Sequence, residues 1–202
     1  MLKTTSHKLY QLSNGTITII ALMIFALVVA FVLPAQAERA DASSGGADSP
    51  DTSFFYTSRD LYNMAEAYGA EGRAAYVRAR FTFDLIFPLS YLLFLATSIS
   101  WVMKRAVPNA TSPWRLLNLF PVFGVLFDYL ENISASIVMV NYPQHTFLLD
   151  SLAPIFTLVK WFFVNGSFVI LVPALLVAVW NWVRERKGVE RDGEKPHPGC
   201  GD

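Results

Sequence analysis

The chain has 202 residues, enough for one compact unit, with 53% hydrophobic residues and 16% charged ones. Soluble domains carry about 25% charge, and one core of this size cannot hide so much apolar surface, so a water-soluble globule is excluded and a bilayer is implied. The formal net charge is zero, which gives no general attraction to nucleic acid.

A membrane span needs about 20 mostly apolar residues to cross about 30 Å of hydrocarbon. Residues 1–16 form a short N-terminal segment before the first apolar run, 17–33, which carries no charge. This run reads as a retained span. Its alternative is a secretory signal, because Lys3 and Lys8 precede it and Pro34-Ala35-Gln36-Ala37 has the small-residue pattern of a cleavage site. Residues 34–80 form a long segment outside the membrane. Within it, 38–50 is rich in Ala, Ser, Gly and Asp and reads as a flexible linker.

Thr57-Ser58-Arg59-Asp60 has the spacing of a capping box. Leu61, Met64, Ala65 and Tyr68 then share one helical face, and Gly69 is placed to end that helix in a left-handed conformation. A second helical stretch carrying Arg73, Tyr76, Val77 and Arg80 is expected to run directly into the next span. The amphipathic helix reads either as an interfacial anchor lying on head groups or as a gate over a membrane site, with Arg73, Tyr76 and Arg80 as the gate residues.

Three more spans follow, at 81–103, 116–140 and 152–182, separated by loops at 104–115 and 141–151 and followed by a tail at 183–202. The last is longer than a bilayer requires and should tilt or project. Ten lysines and arginines fall on the side of the two termini and the 104–115 loop, against five on the other side. By the positive-inside rule both termini are expected in the cytoplasm. Trp101, Trp114, Trp180 and Trp182 fall near the inner helix ends, as an interfacial aromatic belt requires.

Ionisable groups are costly within hydrocarbon, about 2.5–3.5 kcal/mol each at a helix centre. The spans nevertheless contain Asp84, Asp128, Glu131 and Lys160. On the third span Pro121, Gly124, Asp128, Glu131, Asn132 and Ala135 form one stripe. On the second, Asp84, Pro88, Tyr91 and Ser98 do the same, and on the fourth Thr157, Lys160, Val164 and Ser167. At about 1.5 Å per residue, Glu131 and Lys160 lie about 15 Å and 12 Å below the outer helix ends, with Asp128 about 20 Å and Asp84 about 5 Å down. Glu131 and Lys160 are therefore level, and an ion pair between them is expected. One lysine cannot neutralise three carboxylates. Arg73, Arg78 or Arg80 reaching down to Asp84, a protonated carboxyl or a wet pocket would each address the excess.

The candidate ligand-binding set is thus Asp84, Tyr91, Asp128, Glu131, Asn132, Thr157 and Lys160, with Asp128 and Glu131 as candidate proton-transfer groups. The alternative is that these residues are interhelical glue. Pro88, Pro121 and Pro173 are expected to free backbone carbonyls inside the spans, and Pro154 to sit harmlessly in a first turn.

No histidine falls in a span, which argues against haem and histidine-based metal sites, so no cofactor and no metal are expected. Asp128, Glu131 and Asn132 could offer oxygens to Mg²⁺ or Ca²⁺, but acids at this spacing are common on helices. His197 and Cys200 make a weak tail pair, and there is no phosphate-binding loop, dinucleotide fingerprint or nucleophile elbow.

The segments "FFYTSRDLYNMAEAYGAEGRAAY" (Phe54–Tyr76), "DLIFPLSY" (Asp84–Tyr91), "DYLENI" (Asp128–Ile133) and "TLVKW" (Thr157–Trp161) resemble a family of small bacterial integral membrane proteins. The resemblance runs from Gly45 to about Ser167. It implies a retained first helix, a long outer segment and four spans, and it implies no activity. The order of one helix, a long outer loop and three more helices is also similar in topology to the emopamil-binding sterol isomerase-like group, an analogy of arrangement alone.

The expected protein is an all-α four-transmembrane-helix bundle with a short amphipathic outer helix, in a bacterial cytoplasmic membrane. Its expected partners are membrane lipids, with a small amphiphilic ligand or a membrane protein beside them, and no nucleic acid. Binding of an amphiphile, acid–base catalysis on one, and a structural or assembly role are the three functions the residues allow.

Overall fold

The computed structural model describes residues 2–50 and 53–193, and among them every regular element is helical. A short helix α1 (Leu2–Leu12) precedes α2 (Gly15–Leu27), whose first turn is capped by the Asn14 side chain accepting from the Ile17 amide. Val28–Val32 widens into a π turn, in which the Leu33 amide reaches the Val28 carbonyl, and the rod continues as α3 (Leu33–Ser44). Pro34 has no N–H, and its ring would collide with the preceding turn. Widening the helix just before it absorbs that misfit.

The linker expected at 38–50 is therefore helical as far as Ser44, and the stretch Pro34–Ala37 lies within the rod. Two causes combine. Ala35, Ala37, Ala40 and Ala42 favour helix, and α3 docks on α5 (Gly69–Arg80) at Gly72, where a Cβ would sit 2.5 Å from the Ser43 carbonyl oxygen. Gly45 and Gly46, at φ 65° and 80°, then end the helix.

Helix α4 (Ser58–Ala67) starts on the expected capping box: the Asp60 amide donates to Thr57 Oγ1 (3.2 Å) and the Thr57 amide to Asp60 Oδ2 (2.9 Å). The Thr57 hydroxyl also donates to Asp60 Oδ2 (2.7 Å), and this bond first, then that of the Thr57 amide, holds the Asp60 carboxyl below its ordinary range. Gly69, at φ 62°, turns the chain into α5. The expectation of an anchor lying on head groups is overturned. Leu61, Met64 and Ala65 are buried, together with Tyr56, Tyr68 and Tyr76, against Ala135, Val138, Met139 and Ala153. The apolar face of α4 closes one end of the bundle, here termed the cap end.

The expected uninterrupted run into the second span is broken at Phe81 and Thr82, after which α6 (Phe83–Ala106) crosses the bundle. A 3₁₀ turn (Pro113–Leu119) leads into α7 (Phe120–Asn141), and α8 (Leu149–Gly193) completes the fold. Two prolines exchange their expected places. Pro121 lies in the first turn of α7, where it breaks no bond, whereas Pro154 lies inside α8 because that helix begins five residues earlier, at Leu149. At 45 residues, α8 is about 68 Å long, so it extends well past a bilayer core of about 30 Å.

Four helical stretches are long and apolar enough to cross a membrane: Gly15–Ser44, Gly69–Ala106, Pro113–Asn141 and Leu149–Arg186. Their outward faces carry Phe31, Ile86, Phe162, Val169 and Leu176, all exposed. This is a multi-pass membrane protein built as an all-α bundle. Helices α7 and α8 pack most intimately, through small residues: a Cβ at Gly124 would lie 3.1 Å from Val164, and one at Gly166 3.1 Å from Phe120.

Because the chain crosses four times, α1 and the far half of α8 meet the same end of the bundle. There Lys104 donates to the Ser13 carbonyl (2.6 Å) and Asn181 to that of Arg105 (3.0 Å). At this tail end Trp114, Trp180 and Trp182 are exposed, and Arg105 and Arg186 lie over the rings of Trp101 and Trp182.

Candidate functional site

The polar stripes of α6, α7 and α8 all turn inward and meet in the half of the bundle nearest the cap. Asp84, Tyr91, Asp128, Glu131, Asn132, Thr157 and Lys160 are each less than a tenth exposed. The expected Lys160–Glu131 ion pair is present, and the same ammonium lies 3.9 Å from Asp128 Oδ1. One cation thus serves two carboxylates one helical turn apart.

Asp128 accepts two more hydrogen bonds, from the Tyr91 hydroxyl (2.9 Å) and from Asn132 Nδ2 (3.2 Å). The second of these fixes the Asn132 amide. With its nitrogen on the carboxylate, Oδ1 points away, buried and without a hydrogen-bond partner. Thr157 shares its hydroxyl proton between the Tyr56 oxygen (3.1 Å) and the Ala153 carbonyl (3.0 Å).

Asp84 finds its cation on α5. Arg80, 6% exposed, places Nη1 3.1 Å from Asp84 Oδ2 and lays its guanidinium over the Tyr76 ring, 4.4 Å from the centroid. The inward-reaching arginine expected for Asp84 is thus present. The count still does not close: two cations face three carboxylates, all buried.

The expected gate residues separate. Tyr76 and Arg80 join the cluster, and the Tyr76 hydroxyl is buried without a hydrogen-bond partner. Arg73 turns the other way, donating to the Ala65 carbonyl (2.8 Å) and stacking 4.7 Å from the centre of the Tyr142 ring, so it fastens the cap instead.

The cluster is covered from the cap end by Tyr56, whose phenol is pushed well above its ordinary range, first by burial and then by the Glu131 carboxylate. It stays a neutral hydroxyl. Sequence reasoning passed over Tyr56, although a signal existed. An apolar residue just before the Thr57 cap pairs with one at the fourth helical position as a hydrophobic staple, here Tyr56 with Leu61, and both lie in the same buried core. Beside it, Phe54 packs on Trp161 at 4.9 Å between ring centres, and Lys160 lies 5.3 Å from the centre of the Trp161 ring.

A second polar cluster, at the tail end, was also missed. Ser6 donates to Asn118 Oδ1 (2.8 Å), while Asn118 Nδ2 donates to the Ser6 carbonyl (3.2 Å) and to Ser100 (3.0 Å). The Tyr10 hydroxyl donates to the Arg115 carbonyl (2.8 Å), and partial burial pushes it up to about 12. These are uncharged residues of common types, and no sequence pattern joins α1 to the 3₁₀ turn.

Chemically, the cap-end cluster offers carboxylates in unequal surroundings. Asp128 is held by a phenol and an amide, Glu131 chiefly by an ammonium. Such inequality suits either proton transfer or the binding of a charged head group. Tyr91, Asp128, Glu131, Asn132 and Lys160 are joined directly to one another by hydrogen bonds and ion pairs, and all of them are buried. Among the described residues no three of His, Cys, Asp and Glu gather as a metal site would require. His197 and Cys200 lie outside the described residues. Comparison with protein-family models, with curated proteins and with solved structures gives no match for this chain.

Proposed function

We propose that this membrane protein binds a lipid or small amphiphile, with its polar head engaging Arg80, Asp84, Asp128, Glu131 and Lys160 in the outer half of the bundle. The reading also places it in a bacterial cytoplasmic membrane with the tail end and both termini inside, as the ten-to-five distribution of basic residues favours. The observation that carries the proposal is the buried, unbalanced set of two cations and three carboxylates. Glue alone needs neither an excess charge nor buried acceptors such as Asn132 Oδ1 left without a donor.

Access requires movement. The left-handed Gly69 and the break at Phe81–Thr82 bracket α5, so α5 can shift as a unit and carry Arg80 away from Asp84. A polar head would then exchange its own charges for the separated ones. Binding that favours the open form shifts the population by that difference in affinity and by nothing else.

Thermal unfolding in detergent with a panel of anionic, zwitterionic, cationic and neutral amphiphiles tests this. At 100 times its dissociation constant a ligand adds about 2.7 kcal/mol. At least one amphiphile should stabilise the protein, and Glu131→Gln should remove that gain. No gain from any, or an equal gain in the variant, contradicts the proposal.

Two other readings have support of their own. Acid–base catalysis on the amphiphile, with Asp128 or Glu131 moving the proton, is favoured by the unequal surroundings of those two carboxylates. An altered membrane lipid profile in a deletion strain would read it out. A packing or assembly role is favoured by the direct contact among the charged groups, and it predicts a stable stoichiometric partner on purification.

A further inference from the structure

The lipid-facing side of the seam between α5 and α7 carries a groove of about 350 Å³, within the size range of ligand clefts. Val77 and Phe81 form one wall, and Ile133, Ile137 and Val140 the other. The groove follows α7 from Ile133 to Asn141, about 12 Å at 1.5 Å per residue. Its only amide side chain, Asn141, stands at the end nearest the cap. A groove that is polar at the membrane surface and apolar below has the polarity gradient of a lipid in that leaflet.

One feature of the groove is not explained by acyl chains alone. Ser136 lines it, is 3% exposed, and its hydroxyl has no hydrogen-bond partner. A buried hydroxyl left unpaired is destabilising, and hydrocarbon offers it no acceptor. An ester carbonyl does. Ser136 lies about 8 Å below Asn141, so a lipid whose head group rests near Asn141 can present an ester oxygen at this depth.

On the other side of the same seam stand Tyr76 and Arg80, one residue before Val77 and Phe81 in the chain. On α7, Asn132 precedes the groove residue Ile133 by one position. The groove and the charged cluster are thus the two faces of a single helix–helix contact.

We propose that the α5–α7 seam is a lateral port, and that its groove holds an ester-linked acyl chain of a glycerophospholipid from the leaflet at the cap end, with Ser136 donating to the ester carbonyl. This rests on the amphiphile-binding reading and names its ligand class and its route of entry. An ester lipid seated there is one helix face away from Arg80, and outward movement of α5 opens the path between them.

The full chain is reconstituted in phosphatidylcholine and phosphatidylglycerol vesicles containing a trace of phospholipid with a diazirine in one acyl chain. After illumination, the labelled residues are mapped by mass spectrometry. Label should concentrate severalfold on Val77, Phe81, Ile133 and Ile137 over the more exposed Phe162 and Val169. Ile133→Trp, a change at a half-exposed position, should fill the groove and remove that excess. Ser136→Ala should lower labelling by the ester probe to the level given by its ether-linked counterpart, which should label both proteins equally weakly.

Uniform labelling of the lipid face, labelling indifferent to Ile133→Trp, ether labelling as strong as ester labelling, or preference for a free diazirine fatty acid would each overturn the inference. If Glu131-dependent stabilisation by an amphiphile persists while labelling is uniform, the port fails and the head-group site stands. Groove labelling without that stabilisation keeps the port and removes the head-group site.

Discussion

The two ends of the bundle solve the same problem in different ways. At the tail end, Ser6, Ser100 and Asn118 are buried and uncharged, and each polar atom of the Asn118 side chain has a partner. At the cap end, five ionisable side chains are buried with unequal numbers of each sign, and Tyr76 and Asn132 keep atoms without partners. Fully satisfied polar groups hold helices together where lipid supplies no hydrophobic drive. A set that costs more to bury and is left incomplete is a poor fastener. On the proposed reading, the difference separates a clamp from a site.

The largest expected effect breaks the charge pairing. Glu131→Leu leaves the Lys160 ammonium with Asp128 at 3.9 Å as its remaining carboxylate, and stranding one member of a buried pair costs about 3–5 kcal/mol. Lys160→Met should cost a similar amount. Unfolding in detergent measures both, and a loss under about 1 kcal/mol would mean that the pair is not held dry.

The next test concerns the clamp. Asn118→Leu strands the Ser100 hydroxyl and leaves that of Ser6 with only the Arg115 carbonyl at 3.5 Å; it should cost about 1–3 kcal/mol, while leaving any stabilisation by amphiphiles unchanged. Loss of that stabilisation together with stability would erase the distinction between the two ends.

The smallest effect is at the cap itself. Thr57→Ala removes the side-chain cap of α4 and should cost about 1 kcal/mol. The hydrogen bonds of Thr57 depress Asp60, so the contribution of Asp60 to stability is present at neutral pH and is lost as pH falls through and below the carboxylate range. The loosening caused by Thr57→Ala should therefore be larger at pH 7 than in acid, where only the loss of the Thr57 Oγ1 acceptor for the Asp60 amide remains, as followed by hydrogen exchange of the α4 amides.

Much of this architecture was legible in residue patterns. The four spans, the Thr57–Asp60 capping box, the left-handed Gly69 and the inward stripes all follow from periodicities that a helix imposes on side-chain direction. The level positions of Glu131 and Lys160 followed from rise per residue alone. Partners chosen by tertiary packing were not legible. The four-residue spacing of Arg80 and Asp84 favours that pair over Arg78, but the sequence does not say that the pair turns inward to the cluster, which depends on how α5 leans on α7. The helix through 38–44 was hidden because Ser, Asp and Gly lower local propensity, and its support comes from contact with Gly72, far away in the chain. The tail clamp was hidden for a related reason: α1 meets Asn118 across more than a hundred residues.

The most direct measurement uses the paired variant Glu131→Leu with Lys160→Met. Removing both charges replaces a buried ion pair with apolar bulk, which is often neutral for stability, and Asp128, though it loses the ammonium at 3.9 Å, keeps its hydrogen bonds from Tyr91 and Asn132. Calorimetric unfolding of this protein and of the wild type is compared with and without a stabilising amphiphile. The variant is predicted to unfold near the wild-type temperature when alone and to gain nothing when the amphiphile is added. A gain equal to that of the wild type would show that the Glu131–Lys160 pair binds nothing and serves only to join the helices.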